Sequence, residues 1–271
     1  MTVYSFSSKE LINQINNNFE NVKNILKLYL QNPNDKNIHD LRKSIRRLDA
    51  AYYAIPKKFR KNKTIKNYVN LGKDLFKSNT KVRDYDVFIK KLDNHNHPNK
   101  KNNDLKNKIE QDKKLQLGIA TKIAQNLDRY DSPQLGTELI VDDNKIQRRF
   151  KKVSEKFNDK IGKELDIVIQ NERKKRKLHQ LRIDCKKLRY HLELISNQDK
   201  EVKKTVEQLD NIQDILGEIH DSDAAILYLE QQKKSQEIKN FIDHEASHRH
   251  NKYNEFVNQY KHYTEPNVSL I

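Results

Sequence analysis

Apolar residues recur along this chain with a helical period. Leu11, Ile15, Phe19, Val22, Leu26 and Tyr29 form one stripe, and Leu41, Ile45, Leu48 and Tyr52 form the next. Spacings of three and four place each set on one face of a 3.6-residue helix. The pattern predicts helices near 8–31, 37–55, 63–78, 82–93, 102–130, 142–170, 174–196, 200–217 and 222–261. Pro33, Pro56, Pro98, Pro133 and Pro266 all fall in polar stretches between periodic segments, where a missing N–H costs least. The longest polar interruptions cover 94–103 and 131–144. The second sits near the midpoint and divides the chain into two expected helical bundles, 1–135 and 136–271.

The halves carry matching landmarks. His39-Asp-Leu-Arg-Lys-Ser-Ile-Arg-Arg-Leu48 aligns without gaps on His179-Gln-Leu-Arg-Ile-Asp-Cys-Lys-Lys-Leu188, and Arg83-Asp-Tyr-Asp86 aligns on His220-Asp-Ser-Asp223. The offsets are 140 and 137 residues, in the same order. Two ordered matches at nearly one offset predict an internal duplication. The expected fold is all-α: two antiparallel helical bundles related by a pseudo-twofold.

Composition narrows the possible chemistry. Five glycines in 271 residues leave no Gly-rich loop for a Rossmann site, a P-loop or a nucleophile elbow. A mean hydropathy of −1.03 implies narrow apolar stripes and a wide polar surface. Lys and Arg number 54 against 38 Asp and Glu, a formal net charge of +16, so the natural partners are polyanions. The one cysteine, Cys185, can form no internal disulfide, and the first residues lack an apolar signal core. The expectation is a soluble cytoplasmic protein with no membrane insertion.

On a helical wheel at about 100° per residue, His39, Arg42, Lys43 and Arg46 share one side, opposite the apolar set. His179, Arg182, Lys186 and Arg189 do the same, with Cys185 on the apolar face beside Leu181 and Leu188. Arg47 and Lys187 adjoin these strips. Like charges at i,i+4 repel by a few tenths of a kcal/mol per pair. A penalty repeated at matched positions is better explained by an external anion than by a solvated face. Arg offers phosphate a planar fork of charge-assisted hydrogen bonds, and Lys adds point charge. Between 145 and 165, Arg148 and Lys152 project opposite the stripe Phe150, Val153, Phe157 and Ile161, with Arg149 and Lys151 alongside. The run Arg173-Lys-Lys-Arg-Lys177 either extends the second strip or forms a basic turn.

These residues resemble the CHAD family, the conserved-histidine α-helical domain, in its stand-alone type. The likeness is carried by His39-x-x-Arg42-x-x-x-Arg46-Arg47 and by Leu178-His179-x-Leu-Arg182-x-x-x-Lys186-Lys187-Leu-Arg189-Tyr190. Val82-Arg83-Asp84-Tyr85-Asp86-Val87 and Leu216-Gly217-Glu-Ile-His220-Asp221 continue it. The resemblance implies two helical bundles with a basic groove or pore between them, binding of inorganic polyphosphate, and association with polyphosphate granules. The expected ligands are His39, Arg42, Lys43, Arg46, Arg47, Arg148, Arg149, Lys152, His179, Arg182, Lys186, Lys187 and Arg189. No catalytic residue, metal or cofactor is expected.

Two alternatives stay open. One is binding of nucleic acid through its backbone, although the chain has no Trp and no aromatics interleaved with the strips for base stacking. The other is a metal-dependent phosphohydrolase using Asp84, Asp86, Asp221 and Asp223. The preferred reading of those carboxylates is structural: they cap helix starts, or they pair with the basic helices and hold them in register. His244-Glu245-Ala-Ser-His248 matches a zinc-protease pattern, but His250 stands at the wrong offset for a third ligand. Loose metal binding by His244, His248 and His250 remains a separate possibility. His95 and His97 read as solvated loop residues.

Overall fold

The structure, a computed structural model, describes residues 4–95, 100–136, 143–232 and 235–264. All regular structure among them is helical: α1 (Ser8–Gln31), α2 (Asp35–Ala54), α3 (Lys57–Arg60), α4 (Lys63–His95), α5 (Lys100–Asp128), α6 (Asp143–Gln170), α7 (Lys175–Leu192), α8 (Lys200–Glu230) and α9 (Gln236–Tyr260). A short 3₁₀ turn, Lys261–Thr264, follows α9. No helix among the described residues is long and apolar enough to cross a membrane. The chain divides into two compact units, Phe6–Phe150 and Lys151–Ile271 together with Met1–Ser5. The 131–144 interruption precedes that division by about two turns of α6.

In the first unit α1 packs on α2 and α5, and α4 packs on α2 and α5, closing a four-helix arrangement. The α1 stripe from Leu11 to Tyr29 is buried, as are Leu41, Ile45 and Leu48 of α2. Caps fix the ends. The Asn34 side chain accepts from the Asn37 N–H at 2.9 Å, and the Asn32 N–H closes α1 on the Leu28 carbonyl. Asn16 of α1 holds the Leu135 backbone by two hydrogen bonds, pinning the segment after α5. Gly72 lets α4 approach α2 closely, since a Cβ there would stand 3.3 Å from the Leu48 side chain.

In the second unit α7 packs on α8, and α8 on α9. Val153, Phe157, Ile161, Leu165 and Val168 form the buried stripe of α6. The Tyr253 hydroxyl of α9 donates to the Val168 carbonyl at 2.8 Å, tying α9 to the end of α6. Cys185 lies in the core as a free thiol, and burial raises its pKa.

Three expected boundaries move. The segments 63–78 and 82–93 are one helix, α4. The polar run Ser78-Asn79-Thr80 at the expected gap is a hydrogen-bonded seam inside the bundle. Asn79 accepts from the Tyr29 hydroxyl at 3.2 Å, Ser78 from Gln116 at 2.9 Å, and Thr80 from Arg42 at 2.7 Å. The segments 200–217 and 222–230 are likewise one helix, α8. The expected 222–261 helix is interrupted instead before Ser235, whose hydroxyl accepts from the Ile238 N–H and starts α9. The side chains of His95 and His97 lie outside the described residues.

Candidate functional site

Because α4 and α8 run through without a break, Asp84, Asp86, Asp221 and Asp223 sit in helix interiors and cap nothing. The alternative reading, pairing with basic groups, holds for Asp86 and Asp223. Asp86, nearly buried, pairs with Lys113 of α5, which also faces Asp35 at 3.7 Å. Asp223 takes the Arg249 Nε of α9 at 2.7 Å and Lys175 of α7 at 3.3 Å. Both matched aspartates thus draw a cation from the helix that follows, Lys113 and Arg249, 136 residues apart.

The histidines show the same correspondence. In the second unit, His179 of α7 and His220 of α8 face each other with rings tilted at 40° and Nδ1 atoms 3.2 Å apart. One Nδ1–H donates to the other Nδ1, which requires at least one neutral ring. In the first unit, His39 of α2 feels the charge of Arg83 on α4. Arg83 is the position aligned with His220. Each unit therefore carries an exposed histidine on its motif helix that responds to a residue of the next long helix.

The imidazoles register the surrounding charge. Burial, followed by Arg182 and Lys186, lowers the His179 pKa, against a smaller raising influence of Asp223. His220 is pushed down to about 3 by burial, then Arg182, His179 and Lys186. Burial is the largest influence on His39 as well. Asp40 opposes the shift, while Arg83, Lys43 and Arg46 add to it, and the net direction is down. Both clusters concentrate positive potential where an anion can reach it.

This arrangement makes folding pH-dependent with a defined sign. His220 is neutral in the folded chain down to about pH 3, whereas the unfolded chain binds its proton below the ordinary value of 6.5. The unfolded state then holds more protons, and stability falls with pH below that value. His220→Gln should flatten the fall between pH 6.5 and 4.5 in urea titrations. A parent and variant losing stability in parallel over that interval would contradict the assignment.

The remaining expected ligands divide by placement. His39 and His179 are exposed, and Lys43, Arg46, Arg47, Arg182 and Lys186 are part-exposed. Arg42 is only 8% exposed. It donates to Thr80 Oγ1 at 2.7 Å, and its guanidinium lies 4.7 Å from the centre of the Phe76 ring, so it braces α2 on α4. Arg46 lies over the same ring at 5.0 Å. The Arg189 side chain, 11% exposed, pairs with Asp210 of α8 and with Glu193 at 3.5 Å. Lys187 reaches buried Asp184 at 3.6 Å and covers Phe157. Arg148 and Lys152 are exposed on α6, while Arg149 donates through Nε to the Tyr53 carbonyl at 3.0 Å. Arg42, Arg149, Lys187 and Arg189 thus have partners within the protein, which the wheel could not show. Arg83 and His220 are the members that wheel reasoning missed, although the repeat alignment pairs them.

Two of the three α9 histidines face carboxylates from other elements. His248 faces Glu218 at 3.3 Å, His250 faces Glu172 at 2.9 Å, and Glu245 is buried. Among the described residues no group of three or more His, Cys, Asp or Glu is placed to hold a metal ion.

Fold and site define an all-helical protein that gathers cations around a histidine at the seam between two long helices. The chain belongs to the CHAD domain family, whose sequence profile matches residues 13–230. It is also similar to the crystal structure of the CHAD domain from the plant Ricinus communis. That similarity has a TM-score of 0.59 at 14% identity, covering 97% of this chain and 88% of that one. No curated protein sequence matches significantly.

Proposed function

We propose that this protein binds inorganic polyphosphate through the cation clusters on its α2–α4 and α7–α8 helix pairs, and that it does so without turning the polymer over. The observation that supports this best is the depressed imidazoles. Burial first, and then nearby Lys and Arg, hold His39, His179 and His220 toward neutrality, and those cations gather at two positions. Polyphosphate carries a charge on every unit and no bases, so it needs closely spaced phosphate ligands and no stacking platform. The family resemblance points the same way, and an internally duplicated pair of sites would suit a repeating ligand.

The non-enzymatic part of the proposal is supported by the engagement of Asp86 and Asp223 with Lys113, Lys175 and Arg249. A carboxylate committed to a buried or part-buried cation is a poor candidate for holding a catalytic metal. The proposed setting is cytoplasmic, at polyphosphate granules.

Titrating long polyphosphate over a range of salt tests the binding. Neutralising many phosphates releases many counterions, so log affinity should fall steeply and linearly with log salt. A flat response between low and physiological ionic strength would sink the proposal. Duplex DNA at equal phosphate concentration should compete poorly; strong competition would favour a nucleic-acid backbone binder. With Mg²⁺ or Mn²⁺ present, no orthophosphate should be released, and release abolished by Asp84→Asn or Asp221→Asn would make the protein an enzyme.

A further inference from the structure

The corner where α2 ends and α4 begins holds two cations that no carboxylate balances among the described residues. Arg149 of α6 spends its Nε on the Tyr53 carbonyl at 3.0 Å, and its two Nη groups take no partner among the described residues. Arg60, at the end of α3, lies with its guanidinium 5.7 Å from the centre of the Tyr52 ring, and its Nε is buried with no hydrogen-bond partner. The Tyr52 hydroxyl donates to the Arg60 carbonyl at 3.3 Å, holding that turn against α2. The two guanidiniums act on each other: burial and then Arg60 are what lower the Arg149 pKa. Neither arginine has an ion-pair partner among the described residues.

Residues 50–73 contain seven Lys and Arg and no Asp or Glu. The neighbouring cation Lys73 is already neutralised by Asp49 at 2.7 Å. Arginine cannot relieve like-charge repulsion by losing its proton at any ordinary pH. Two part-buried guanidiniums in mutual repulsion, each with unspent N–H donors, are therefore stabilised most by an anion arriving from outside.

We infer that Arg60 and Arg149 form an oxyanion clamp that takes one tetrahedral phosphate group, at a place distinct from the His39–Arg46 strip. Arg46 and Tyr53 are separated by seven residues, about 10 Å along α2. Each guanidinium offers paired N–H donors, a geometry that fits two oxygens of one phosphate. The group could come from free pyrophosphate or from a unit of a longer polymer. The chemistry is shared, and the clamp does not rest on the polyphosphate reading.

Calorimetric titration of the full chain with pyrophosphate and, separately, with long polyphosphate tests the clamp in chloride buffer. Parent protein should bind pyrophosphate, and Arg60→Gln and Arg149→Gln should each weaken that binding about tenfold or more. Arg149→Lys should restore only part of it, because a point charge lacks the fork. The Arg60 side chain donates no hydrogen bond among the described residues, so Arg60→Gln should keep its melting temperature. If parent ignores pyrophosphate yet Arg60→Gln and Arg149→Gln weaken long polyphosphate, the clamp holds a unit of the polymer and stands. Pyrophosphate binding with no polyphosphate binding would keep the clamp and sink the proposed function. Affinities for both anions unchanged in Arg60→Gln and Arg149→Gln would overturn the clamp.

Discussion

Lys186→Ala should weaken binding of short polyphosphate more than Arg46→Ala does, and the two should converge as the polymer lengthens. Each substitution removes a charged phosphate contact worth roughly 1.5–3 kcal/mol gross, about one to two orders of magnitude in affinity. The difference arises from what surrounds each cation. Lys186 adjoins Arg182 and the His179–His220 pair, and both imidazoles respond to it. Arg46 lies against the Phe76 ring, so part of its contact with an anion must be exchanged for that stacking. A short oligomer can settle on the cation cluster at the His179–His220 seam alone, whereas a long chain can shift along either strip and dilute a single loss. Neither side chain belongs to an apolar stripe, so helix content and melting temperature should hold. Calorimetry against short and long polymer checks this, with the exposed Lys27→Ala as control. Lys23 would be a poor control, because it binds the Asp128 and Tyr130 carbonyls at the end of α5. If both variants bind like the parent while folded, the strips are solvated faces and the site lies elsewhere.

What could be read from the sequence was whatever one helix decides alone. The α1 stripe and the apolar faces of the two motif helices follow from local periodicity, and both are found. The seams between helices were harder to read. Arg42 falls on the cationic side of its wheel, yet α4 covers it, because Phe76 and Thr80 supply a ring and a hydroxyl for its guanidinium. The same seam includes Ser78-Asn79-Thr80 at the expected gap: polar residues inside a bundle look like a break until their partners are known. Arg83 and His220 stand mid-helix on the strand of sequence opposite the motif, where no wheel of α2 or α7 can place them. Only the alignment of the halves pointed to them.

Arg249→Met should be the most damaging single substitution for the fold of the second unit. Arg249, 5% exposed in the middle of α9, is a buried junction. Its Nε donates to Asp223 of α8 at 2.7 Å, and its Nη1 donates to Glu172 in the turn between α6 and α7 at 2.7 Å. Its Nη2 reaches the Glu172 carbonyl at 3.4 Å. Methionine fills similar volume but leaves both carboxylates short of their main cation. Breaking a buried pair in this way costs about 3–5 kcal/mol, and the lower end applies because Lys175 and His250 remain beside the two acids. Arg249→Lys keeps the charge while losing the two-sided fork, so its cost should be smaller. The change should also reach the candidate site. Asp223 raises the His179 pKa, and a carboxylate relieved of Arg249 would act on that imidazole more strongly. In urea unfolding followed by circular dichroism, Arg249→Met should lose about 3 kcal/mol, and His179 should titrate at higher pH in the NMR of the folded variant. Unchanged stability would mean that desolvation of the network cancels its attraction, and the junction would then serve only to fix the register of α9 on α8.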